Sequence, residues 1–458
     1  MRHRDPFPLL RRIRHATLIA AALLAAGTVA RAAESPPLSS SRYDTDYPTI
    51  PYAGSATHNA FARLQARMER GEVKLEYRPG RGYLDSLLKE LKIDPSSQML
   101  VYSKTSLQID FINATTPRAI YFNDSTYVGF VQNAPLLELA TIDDELGLVF
   151  YSMVNKQQPV KQFDREGGRC LTCHDTYSMM GGGIPRVVVM SALIDGPANP
   201  QGRETSDLVT DQTPLRDRWG GWYVTGEHGI QTHLGNLPTD NDPKLVGRSD
   251  AERFNLKSLD GWLDTKPYIT NKSDVIALMV LEHQTNVQNF ITRASFKVRT
   301  VLARAAGAGN ADPRSWEEIS SRNQSVLKAM IEPLVRTMFF VDAVQFTSPL
   351  AGTAGFEAWF QAQGPRDKQG RSLRQLELNS RLFRYPLSYM VYSESFDSLP
   401  EYVRQYVYTR IAEVLTGRDS TGAFEALTPE DRKDILEILS ETKPDFVRMA
   451  AASLRAVR

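Results

Sequence analysis

Ala119-Ile-Tyr-Phe122-Asn-Asp-Ser-Thr-Tyr127-Val-Gly-Phe-Val131 sets two runs of β-branched and aromatic residues on either side of a short polar turn. Runs of this kind fit a pleated, half-buried surface, and Asn123-Asp124-Ser125 supplies the turn chemistry of an antiparallel hairpin. Working outward, Met99 to Tyr102, Leu136 to Ile142 and Leu148 to Met153 repeat the pattern. Asp143-Asp144-Glu145-Leu146-Gly147 offers a second tight connection. An antiparallel sheet is therefore expected in the N-terminal half.

The hydrophobic period is helical on both sides of this region. Phe61, Leu64 and Met68 share one face of a helix from about Thr57 to Arg70, and Leu84, Leu87, Leu88 and Leu91 share one face of Tyr83 to Leu91. After Ser273, a plausible N-cap followed by Asp274, the helical period holds to about Leu302. A second long helix is expected to start near Asp312-Pro313 and kink at Pro333. Others fit Phe356 to Gln363, Leu399 to Leu415 and Pro429 to Ser440, the last opened by Thr428-Pro429-Glu430-Asp431. Between sheet and helices lies a Gly-rich stretch with strands expected at Arg186 to Ile194 and Trp222 to Thr225; Arg381 to Ser393 has no clear period. The class is α+β: an antiparallel sheet in the N-terminal half, a cysteine-bearing loop in the middle and a mostly helical C-terminal half.

That middle stretch contains Cys170-Leu-Thr-Cys173-His174, and these are the only two cysteines of the chain. The pentapeptide resembles the haem-attachment motif of c-type cytochromes, in which two thiols add to the porphyrin vinyl groups and the following His ligates the iron. The resemblance covers only this motif and the loop after it. It implies one covalently attached haem c on Cys170 and Cys173, with His174 as iron ligand. By the same likeness Pro185 offers the carbonyl that accepts the Nδ1–H of His174. A structural disulfide or a zinc site recruiting a remote His are the competing readings; a redox dithiol lacks the βαβ surroundings it would need.

The sixth ligand is open among His58, His228, His233, His283, Met179, Met180, Met190 and Met279. His283 is preferred because it lies on the apolar stripe Ile276, Met279, Val280, Val287, Phe290 and so faces the interior. His228 and His233 in the Gly- and Trp-rich loop, with Glu227, could instead be distal acid/base groups or hold a second metal. Buried propionates need cationic or N–H partners, for which Arg169, Arg186, Arg218, Trp219 and Trp222 are the nearest in sequence.

The N-terminus reads as an export signal: a basic start with Arg2, Arg4, Arg11, Arg12 and Arg14, an apolar stretch from Thr17 to Ala30, and a small-x-small site at Ala30-Arg31-Ala32. Its removal takes away six arginines and one aspartate, so the formal charge falls from +1 to −4. That balance speaks against nucleic acid as a partner. The expected organisation is a leader over 1–32, a mixed region with the sheet over 33–160, a haem-binding region over 161–270 and a helical region over 271–458 packed on it. The expected protein is periplasmic, without a transmembrane segment after cleavage, and meets a redox partner protein. Two functions fit: a monohaem c-type cytochrome in electron transfer, or a haem enzyme of peroxidase or oxidase type, for which the excess chain length and the loop histidines speak.

Overall fold

A computed structural model describes residues 50–158, 162–175, 183–192, 194, 199, 206–237, 250–306 and 316–455. The leader, Met179 and Met180 lie outside them. Helices α1 (Ala60–Glu69) and α2 (Leu84–Glu90) precede a six-stranded sheet of β1 (Met99–Val101), β2 (Arg118–Phe122), β3 (Thr126–Phe130), β4 (Leu136–Asp143), β5 (Gly147–Val154) and β6 (Asp164–Glu166). Every neighbouring pair is antiparallel and the strands lie in chain order. The turns form as their residues dictate. The Asn123 side chain accepts from the N–H groups of Ser125 and Thr126, and the Asp143 carboxylate accepts from those of Glu145 and Leu146.

Period-two alternation sorts the sheet into two faces. Leu100, Tyr121, Val128, Leu139, Val149 and Tyr151 pack with Phe61, Leu64, Leu84 and Leu87 of α1 and α2. Met99, Val101, Phe122, Tyr127, Leu148 and Phe150 face the other way and join the larger core of the helical half. The register lays a polar row across one end of that second face, running Gly129, Glu138, Ser152, Asp164 on successive strands. β6 was not foreseen: Asp164-Arg165-Glu166 has no apolar alternation and is extended because it pairs with the edge of β5.

The cysteine motif is helical, not a loop: α3 spans Gly168–His174. The expected strand from Arg186 to Ile194 is reduced to β7 (Met190–Ala192), paired with β8 (Ser206–Leu208). Trp222 to Thr225 forms no strand and makes single bridges to Val101 and Asp274. Left-handed backbone at Trp219, Gly221 and Gly226 interrupts the extended run there.

In the C-terminal half α4 (Val275–Ala306) is the central element. Asp274, rather than Ser273, caps it: one carboxylate oxygen accepts from Ile276 and Ala277 N–H, the other from Thr353 and Ala354. Ser273 instead donates to the Tyr223 carbonyl and accepts from Leu100 N–H. α5 (Ser321–Met338), capped by Ser320, contains Pro333; the expected start near Asp312-Pro313 lies outside the described residues. α6 (Phe356–Ala362), α7 (Glu394–Asp397), α8 (Glu401–Leu415) and α9 (Pro429–Thr442) follow, with the Thr428/Asp431 capping box in place on α9. Among the described residues no helix is long and apolar enough to cross a membrane.

Candidate cofactor-attachment site

Cys170 and Cys173 sit one turn apart on α3, Cys170 half-buried and Cys173 exposed, and both thiols are free. Burial pushes the Cys170 thiol up to about 12, and the carboxylates of Glu166 and Glu138 push the same way. An activated redox dithiol needs the opposite environment, one that favours the thiolate. α3 is tied to the sheet through Glu166, which accepts from Ser152 Oγ at 2.8 Å and pairs with Arg169 at 2.6 Å.

His174, at the end of α3, is the most constrained of the three. Its Nδ1 lies 2.8 Å from the carbonyl of Arg186, and the Arg186 N–H donates back to the His174 carbonyl at 3.0 Å. A carbonyl only accepts, so Nδ1 carries the proton; burial lowers the imidazole pKa and keeps the ring neutral. Nε2 is thereby left with its lone pair, the tautomer that ligates a metal. Phe150 of β5 packs on the ring at 4.7 Å between centroids. The acceptor was expected at Pro185; it is the next residue, because the reciprocal bond closes on Arg186. α4 holds this strap in turn. Asn289 accepts from the Val187 N–H at 3.0 Å and donates to its carbonyl at 2.7 Å.

The other expected cofactor residues divide. Arg186 is 1% exposed beside Asp175, whose charge favours the guanidinium against the burial that lowers its pKa. Arg169 is held by Glu166. Arg218, Trp219 and Trp222 spend their donors inside the protein. Arg218 and the Trp219 indole N–H both reach Glu282 at 2.6 Å, and the Trp222 indole reaches the Met190 carbonyl at 2.8 Å. These three are corrected from propionate partners to parts of an internal network. Burial pushes Glu282 up to about 7 against the opposing pull of Arg218 and Trp219.

Most candidates for a sixth ligand are similarly engaged. His283 is fully buried as expected, yet its Nδ1 meets Asp211 at 2.9 Å, its Nε2 meets Ser388 at 2.7 Å, and Phe340 stacks on the ring. A ring held so offers iron no nitrogen. Its apolar stripe packs against Phe340 and Phe383 of the helical half, 120° or so around α4 from the Asn289 face that meets the strap. The order Ser388, His283, Asp211 is that of a nucleophile relay, but Ser388 is fully buried and leaves no surface for a substrate. Met279 places its sulfur 3.2 Å from Arg218. The His228 Nδ1 donates to the Gln231 carbonyl and its Nε2 accepts from Asn255 N–H; the His233 Nδ1 accepts from Gly235 N–H, so its proton sits on Nε2, a buried atom without a hydrogen-bond partner. The two rings touch at 4.8 Å, while Glu227 beside them is exposed, so the expected acid/base trio is not assembled. His58 is exposed on the far side of the sheet, near Asp143.

Sequence reasoning missed Asp211, Glu282, Asn289, Ser388 and the Arg118–Glu138 pair, 3.0 Å apart on the sheet face near His174. Polar residues on the α4 stripe were the available signal. Among the described residues no group of three or more His, Cys, Asp or Glu side chains could hold a metal ion. A porphyrin supplies four of its iron's ligands, so the donor set needed from this chain is two free thiols one helical turn apart and one oriented imidazole, and the residues present fit that need. No family model, curated protein or solved structure matches the chain.

Proposed function

We propose that this chain is an exported c-type cytochrome that carries one haem on Cys170 and Cys173, with His174 as iron ligand, and exchanges electrons with a partner protein. The observation that supports it most is the His174–Arg186 pair of hydrogen bonds, which fixes the imidazole in its metal-binding tautomer directly after the two thiols. When bound, such a haem supplies one-electron chemistry at iron. The chain's own part is to position. Cys170 and Cys173 would fix the porphyrin edge to α3, the Arg186 carbonyl holds the imidazole plane and raises its basicity, and Asn289 keeps the strap from moving. Electron transfer is preferred to peroxidase or oxidase chemistry because both nitrogens of His228 and the Nδ1 of His233 are engaged and Glu227, the third of the distal candidates, is exposed.

The test is expression with a cytochrome c maturation system. Haem should stay with the polypeptide on a denaturing gel, and Cys170→Ala with Cys173→Ala should release it. A matured wild-type sample without bound haem ends the proposal. Intact mass of the periplasmic fraction should correspond to a start near Ala33 plus one haem.

A further inference from the structure

Glu282, Asn286, Asn289 and Arg293 recur along α4 at helical spacing, so their side chains leave one face. Two of them show what that face meets: Glu282 grips Arg218 and Trp219, and Asn289 grips Val187. Asn286 lies between them, and Arg293 one turn beyond Asn289. The side chain of Asn286 is 8% exposed, and its Oδ1 is buried without a hydrogen-bond partner; the Nε of half-buried Arg293 is buried without one as well. Arg186 is buried beside Asp175, and the like charge of Arg293 is also within reach of its guanidinium. A fold that keeps a buried polar atom unmatched forgoes stability at that atom, which calls for a ligand or a function.

We infer that Asn286, Arg293 and Arg186 form a carboxylate-binding site, and that the carboxylates it takes are the propionates of the haem attached at Cys170 and Cys173. The second half of this inference rests on the haem reading above. Guanidinium groups present a planar fork of donors that matches a carboxylate, and the Asn286 amide, turned half a revolution so that Nδ2 takes the place of the orphaned Oδ1, adds a neutral donor beside it. Arg186 links the two ends of the site, because its own carbonyl orients His174.

The test uses the matured holoprotein. Arg293→Gln, Arg293→Lys and Asn286→Leu are compared with wild type by titrating the reduction potential over about pH 4 to 8. Arg293→Gln should lower the potential, since a nearby positive charge no longer opposes the ferric state. It should also move the propionate-linked step to higher pH, since the carboxyl loses the cation that favours its ionised form. Lys should keep both near wild type, and Asn286→Leu should move the step in the same direction by less. Full haem occupancy in Arg293→Gln with potential and pH step unchanged overturns the inference. If wild type carries no covalent haem, the haem reading falls and calorimetry with succinate decides the rest. Succinate binding that Arg293→Gln weakens by about tenfold or more keeps the site, with a diffusible carboxylate as its source. Absent binding, or binding that the variant leaves intact, removes it.

Discussion

Two neighbouring stretches of α4 treat buried polarity in opposite ways. Glu282 and His283 are fully enclosed, and each polar atom of theirs has a partner: Trp219, Arg218, Asp211 and Ser388. Asn286 and Arg293, on the next turns, keep a buried oxygen and a buried nitrogen unmatched. The first stretch is a closed joint between the loop around Arg218 and the helical half. The second is open toward the strap that carries Arg186. Asn286 is nearly as buried as Glu282 and His283; the count of unfilled hydrogen-bond positions is what sets it apart.

The largest effect expected from this contrast is at Glu282. Glu282→Ala leaves the Arg218 guanidinium buried without its carboxylate and should cost about 3–5 kcal/mol in chemical denaturation, whereas Asn286→Ala in the haem-free protein should cost less than about 1. Similar losses at both positions would erase the contrast.

Next comes pH. Glu282 holds its proton up to about 7 in the folded chain, against an ordinary value of 4.5. The fold therefore binds a proton that the unfolded chain releases at lower pH. Its contribution to stability is fully present below about 4.5 and is lost as pH rises through about 7, by up to about 3 kcal/mol. Glu282→Gln should flatten that part of the stability profile, measured by urea midpoints at intervals across the window. A profile that keeps its wild-type slope counts against the shifted carboxyl.

His283→Ala should destabilise by about 1–3 kcal/mol, because Asp211 and Ser388 lose their shared partner, and should leave the absorption spectrum of the matured protein unchanged. A switch of that spectrum to high spin would make His283 an iron ligand and dissolve the closed joint. The smallest effect among the hydrogen-bonded positions is expected at Asn289. Asn289→Ala removes two bonds to Val187 and should cost about 1 kcal/mol, with faster amide exchange at Val187 as the specific readout.

Much of the fold was legible beforehand. β1 to β5, α1, α2, α4 and α9 stand within a few residues of where periodicity and turn residues put them. β6 was not, since a polar three-residue strand exists only by pairing with β5. The Trp222 to Thr225 strand failed because the glycines and Trp219 around it take left-handed backbone that no hydrophobic pattern reports. At the site, the motif and the need for a carbonyl on His174 Nδ1 were readable, but the acceptor moved from Pro185 to Arg186. His283 was rightly placed inside, yet its partners come from Asp211 and Ser388, which no spacing on its own helix could suggest.

By itself the sequence determined what depends on near neighbours: strands from alternation over two residues, helices from recurrence over three and four, caps and turns from single polar side chains, and a thiol-thiol-imidazole set written within five residues. Tertiary structure alone decided which buried groups are satisfied. The bonds that do so join residues 64, 102 and 105 positions apart, at Glu282–Arg218, Asn289–Val187 and His283–Ser388. A hydrogen bond requires its two atoms within about 3 Å, and for residues so distant in the chain only the packed fold sets that separation.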